Sequence, residues 1–133
     1  MRTSNLKSSV TAAAAVAALG CGALLAASGT ASGAPAAAAV CPKEYFCLYE
    51  GGDQSGRIVM KTKGNWTGDA WGTSVFNNGV HSPGSDHVQV TWYKYQGDTA
   101  RKYTKCVHYG SPEGKTNLGS GSNVTKVVWR GEC

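Results

Sequence analysis

Few side chains in this chain of 133 residues can bind a metal, form a covalent staple or move a proton. Five are cysteines: Cys21, Cys41, Cys47, Cys106 and Cys133. Zinc ligands come in close pairs, and here no CxxC or HExxH occurs, so the thiols read as staples and no metal is expected. With Cys21 set aside in a leader described below, four remain, and four allow three pairings. Cys41–Cys47 with Cys106–Cys133 is the expected set. The first pair is local, and Cys133 is the last residue, which frays unless tied. His81, Asp86 and His87 surround Ser82-Pro83-Gly84-Ser85 and are expected as solvated loop side chains. His108 and Glu113 are the types that serve as base and acid in a small nuclease. No G-x-S-x-G or P-loop accompanies them, and an enzyme is not expected.

Whatever these residues do, short strands must position them. Tyr45–Glu50, Arg57–Lys61, Ser74–Asn77, Val88–Tyr95, Lys102–Tyr109 and Val124–Arg130 are β-branched or aromatic runs. Val88, Val90 and Trp92 alternate with Gln89, Thr91 and Tyr93, which gives the strand one apolar face. Turn residues separate the runs, including Asn77-Asn78-Gly79, Gly97-Asp98 and Gly119–Gly121. No long 3.6-residue apolar pattern follows Val40, and Ala, the best helix former, falls to two residues there. The expectation is an all-β, disulfide-stapled antiparallel sandwich. A weak internal repeat sets Cys47-Leu48-Tyr49 beside Cys106-Val107-His108-Tyr109, and Thr73–Phe76 beside Thr125–Val128. It fits two Greek-key halves packed face to face.

Composition limits the domain to the second part of the chain. All twelve aromatics and all eight acids lie beyond residue 39, whereas fifteen of seventeen Ala lie within it. Residues 1–39 run from a positive start (Arg2, Lys7) through an apolar Ala-rich stretch to Ala36–Ala39, the order of a secretory signal peptide. They are expected to be removed, leaving domain 40–133 outside the cell as a monomer. Gly20-Cys21 is a minor lipoprotein alternative. The segment is too weakly hydrophobic for a permanent span. Eleven basic against eight acidic side chains leave 40–133 at +3, scattered along the chain and too modest for a nucleic-acid surface. Trp66 and Trp71, in a Gly-rich stretch taken as a loop, are the tryptophans expected at the surface.

The motif Cys41-Pro42-x4-Cys47-Leu48-Tyr49-Glu50 is followed by Ser55-Gly56-Arg57 and Thr73-Ser74-Val75-Phe76-Asn77-Asn78, and the chain closes on Val127–Cys133. Together these resemble the secreted actinobacterial peptidase inhibitors of the Streptomyces metalloproteinase inhibitor type. The resemblance implies a βγ-crystallin-like fold, no cofactor, and an extracellular peptidase partner, a zinc metalloendopeptidase of the thermolysin class. Ala100–Tyr109 is similar to the family's inhibitory loop. Cys106–Val107 would then be the substrate-like bond, Val107 the side chain for the apolar pocket, and Lys105 and Arg101 its flanks. The family closes that loop with a nearby cysteine, and here none follows Cys106 before Cys133. Cys106 as a staple and Val107 as a core residue of a strand is the competing reading. Asp69, Thr73 and Ser74 preserve part of a crystallin-type calcium pattern, with Ala70 where a ligand is needed, so weak or no binding is expected. The family also has killer-toxin-like relatives, which makes a toxin or cell-surface-binding module the alternative function.

Overall fold

A computed structural model describes residues 37–133. The expected leader 1–39 falls outside the described residues except for its last three, and Cys21 lies outside with it. Six strands form: β1 (Phe46–Tyr49), β2 (Ile58–Thr62), β3 (Trp66–Asn77), β4 (His87–Gln96), β5 (Thr99–Val107) and β6 (Lys115–Arg130). A single 3-10 turn, Gly52–Gln54, joins β1 to β2. Among the described residues no helix is long and apolar enough to cross a membrane.

Every pairing is antiparallel, in the order β2-β1-β3-β6-β4-β5. The order is a palindrome of two like halves. In each, the first strand is central, the second pairs at its outer side, and the third returns on its inner side. β1 therefore corresponds to β4, β2 to β5 and β3 to β6. The similarity between Thr73–Phe76 and Thr125–Val128 follows this correspondence, since the segments lie in β3 and β6. The similarity between the Cys47 and Cys106 segments does not, because they lie in β1 and β5.

Hydrogen bonding is continuous through the β3–β6 pair, and the layering comes from one sheet folding over. Phe46 and Leu48 of β1 share a core with Val88, Val90 and Trp92 of β4 and Val107 of β5, strands far apart in the sheet. Bends in the two long strands allow it. Gly72 pairs with Ser122 and Ser74 with Asn117, so residues 118–121 bulge out of β6. Gly119 and Gly121 have φ of 90° and 68° there, a region natural only to glycine. Ser122 Oγ closes the bulge by donating to the carbonyls of Leu118 and Gly119 at 3.2 and 2.8 Å. Glycines expected to mark turns thus mark bends inside strands, in β3 as in β6.

Both expected disulfides are present, Cys41–Cys47 and Cys106–Cys133. The first sits in a second apolar cluster with Tyr49, against Tyr45, Ile58 and Phe76. The second ties the chain end to β5.

Candidate functional site

β5 is an edge strand, paired on one side to β4 from Val88↔Val107 through Gln96↔Thr99. Among the described residues no strand pairs with its other side, which offers backbone N–H and C=O groups. Seven residues, Thr99 to Lys105, are exposed, Cys106 is half-buried and Val107 is 1% exposed. The change follows from what lies under the strand. Val107 packs in the apolar cluster that holds its partner Val88. Toward the β4–β5 hairpin the core thins out, and Tyr103 stacks on Trp92 at 5.5 Å between centroids. Arg101, Lys102 and Lys105 make this edge cationic, with no carboxylate on the strand.

Of the four residues expected at the contact, Arg101 and Lys105 stand exposed on β5. Cys106 is bound to Cys133, and Val107 points into the core. As folded, the Val107 side chain has no route to a peptidase pocket. Its carbonyl is also held, accepting from Asn77 Nδ2 at 3.2 Å. Asn77 is fully buried and ties three segments together. Its Nδ2 also donates to the Asp86 carbonyl at 2.9 Å, and its Oδ1 accepts from Gly79 N at 3.0 Å. Reading Asn77-Asn78-Gly79 as a turn missed this role, since the partners on Asp86 and Val107 lie 9 and 30 residues away. An Asn closing a strand just before a turn is the only local signal for it.

Of the three side chains expected as solvated, only His81 is exposed. Asp86 and His87 are 5% and 4% exposed, not solvated, and His87 Nδ1 lies 2.8 Å from Asp86 Oδ1. The His87 ring meets His108 edge-on at 4.4 Å, and His108 stacks on Tyr109 at 4.5 Å. His81 packs edge-on against Tyr109 at 5.7 Å, so all three histidines of the chain gather beside the end of β5. The His87 hydrogen bond holds the Asp86 carboxyl below the usual carboxylate range. The Ser82 N–H adds to this, and burial opposes it. His108 Nδ1 lies against the Tyr109 carbonyl at 3.0 Å, and no hydrogen bond joins it to Glu113. Among the described residues no cluster of His, Cys, Asp and Glu is arranged to hold a metal ion.

The calcium pattern does not assemble. Asp69 accepts from Asn123 Nδ2 at 3.1 Å on the outer face of β3. Ser74, five residues along the strand, is fully buried. Its hydroxyl donates to the Gly51 carbonyl at 2.7 Å and accepts from Gln54 N at 2.9 Å. It pins the β1–β2 loop, in which Asp53 and Gln54 have left-handed backbones. Of the two tryptophans expected at the surface, Trp71 is 55% exposed and Trp66 packs against the core. Both lie in β3, where a Gly-rich loop was expected.

The model of peptidase inhibitor family I36 matches residues 34–108. The matched segment begins before β1, takes in β1 to β5 and ends one residue beyond β5. Comparison with curated proteins and with solved structures finds no match.

Proposed function

The chain belongs to peptidase inhibitor family I36, and from that premise we propose that its target is a zinc metalloendopeptidase of the thermolysin class, engaged through the exposed stretch of β5. The family makes the protein a peptidase inhibitor and not an enzyme. The target class rests on the resemblance of the Cys41–Asn78 motifs to the metalloproteinase inhibitor type, and one observation supports the contact surface: within the matched segment, β5 presents seven exposed residues on an edge that no described strand pairs.

Clefts that bind peptides take them as extended strands, through backbone hydrogen bonds supplemented by side-chain pockets. β5 is already extended, so little conformational entropy is lost when it docks. Arg101 and Lys105 lie along that edge and contact the rim of the cleft. Cys106, bridged to Cys133, and Val107, seated in the core and held by Asn77, anchor one end. The hairpin to β4 anchors the other. Val107 acts as the anchor of the inhibitory strand, and the Cys106–Val107 bond ends the accessible stretch. The charge, apolar run and small residues of segment 1–39, with two disulfides in the domain, support action outside the cell after that segment is removed.

Titration of thermolysin with the purified oxidised protein tests the reading, with subtilisin and trypsin as controls. Stoichiometric loss of the zinc enzyme's activity alone is expected. Loss of subtilisin or trypsin activity instead would overturn the target class. Full inhibition by a Lys105→Asp/Arg101→Asp variant would overturn the surface.

A further inference from the structure

The outer face of the sheet, opposite the core, carries two rows of side chains whose members on β3, β6 and β4 peptidase inhibition by the β5 edge does not use. In the first, Trp71, Asn123, Tyr93 and Lys102 are consecutive cross-strand neighbours over β3, β6, β4 and β5. In the second, Thr67, Lys126, Thr91 and Thr104 are neighbours over the same strands. Strands lie about 4.8 Å apart, so each row spans about 14 Å. A shallow groove of about 460 Å³ runs among them, lined by Thr67, Gln89, Thr91, Tyr93, Lys102 and Lys126.

The rings at one end are uncovered. Trp71 is 55% and Tyr95 47% exposed, and their centroids are 5.3 Å apart at an interplanar angle of 38°. A tryptophan and a tyrosine paired on the outer face add nothing to the core, and an apolar surface left open in this way marks a binding face. Within the first row Asn123 is 5% exposed, and among the described residues its Oδ1 is buried with no donor. Its Nδ2 occupies the Asp69 carboxylate. Among the described residues neither Lys102 nor Lys126 has a carboxylate partner.

We propose that this face binds an acidic polysaccharide. The flat apolar side of a sugar ring stacks on Trp71 and Tyr95, as amphipathic aromatic rings permit. Ring hydroxyls exchange hydrogen bonds with Thr67, Thr91 and Gln89, which line the groove. Lys102 and Lys126 receive the acid groups, which charge complementarity requires to be negative. A groove lined by hydroxyls and crossing four strands suits a linear chain of several sugars better than a compact ligand. Apart from Lys102 and Thr104, the face lies on β3, β6 and β4, away from the backbone edge of β5.

Native gel electrophoresis of the full chain through polygalacturonate, phosphomannan or neutral dextran tests the proposal. Retardation is expected on an acidic gel and not on dextran, and the polymer that retards identifies carboxylate or phosphate as the acid. Trp71→Ala, Tyr95→Ala and Lys126→Gln should each weaken retention, the aromatic losses by about tenfold. Melting temperature and thermolysin inhibition should stay at the parent values. No retardation of the parent on either acidic gel overturns the proposal. So does retention that Trp71→Ala leaves intact, which is the charge attraction of a basic protein. Loss of peptidase inhibition in Trp71→Ala without polysaccharide binding would assign the face to the peptidase.

Discussion

Val107 and Lys105 are two residues apart on β5, and they separate anchoring from contact. Burying a carboxylate at Val107 leaves an unpaired charge in the core, so Val107→Asp should destroy the fold and inhibition together. Val107→Ala removes part of a buried side chain at about 1–3 kcal/mol and should remain folded and inhibitory. Lys105→Asp should leave the melting temperature unchanged and weaken inhibition. These outcomes are read by thermal melts beside inhibition assays. If folded Val107→Ala loses inhibition, the strand end opens on binding and Cys106–Val107 is the bond offered. Asp86 supplies a pH test. A carboxyl held below its usual range contributes stability that is present above its unfolded pKa of about 3.9 and is lost as pH falls through its lowered value. The stability gap between the parent and Asp86→Asn, measured by urea unfolding, should be open at about pH 6 and should narrow as pH falls below about 3.9. The residue types foretold little of this site. Disulfides were legible because one pair is local and the other ends the chain. The burial of Asp86, His87 and Asn77 was not, because polar residues beside Gly and Pro read as loop until distant segments close over them.

At the scale of elements, β-branched and aromatic runs located all six strands, and alternation gave the faces of β4, where Val88, Val90 and Trp92 face the core as their spacing requires. Two strand lengths were not legible. β3 begins at Trp66 and β6 at Lys115, in stretches whose glycines suggested loops. Those glycines are needed where the sheet bends and backbones approach closely, a tertiary demand that local propensity does not encode. Gly72 shows it: a Cβ there would meet Leu48 Cδ1 and the Tyr49 carbonyl, each at 2.6 Å. Gly72→Ala should therefore cost about 1–3 kcal/mol in denaturant unfolding, although alanine substitution at a loop glycine is commonly neutral or stabilising. The exposure of β5 was equally hidden. Its register on β4 is ordinary, and only its place at the end of the sheet order leaves its edge free.

At the scale of the whole molecule, the domain is small enough that its covalent ties matter. The Cys106–Cys133 bridge closes a loop with a sequence separation of 27, against 6 for Cys41–Cys47. In the chain-entropy account these contribute about 3.5 and about 2 kcal/mol. Replacing the C-terminal pair by serine should therefore lower the urea midpoint more than replacing the N-terminal pair. The C-terminal bridge also records where a peptidase cuts. A chain severed anywhere from Thr99 up to Cys106 keeps both bridged cysteines in its C-terminal fragment, and the two fragments part in denaturant without reductant. A chain severed one bond later has Cys106 in one fragment and Cys133 in the other, and the two migrate together until reduced. Denaturing gels run with and without reductant thus distinguish cleavage at Cys106–Val107 from cleavage anywhere earlier on β5.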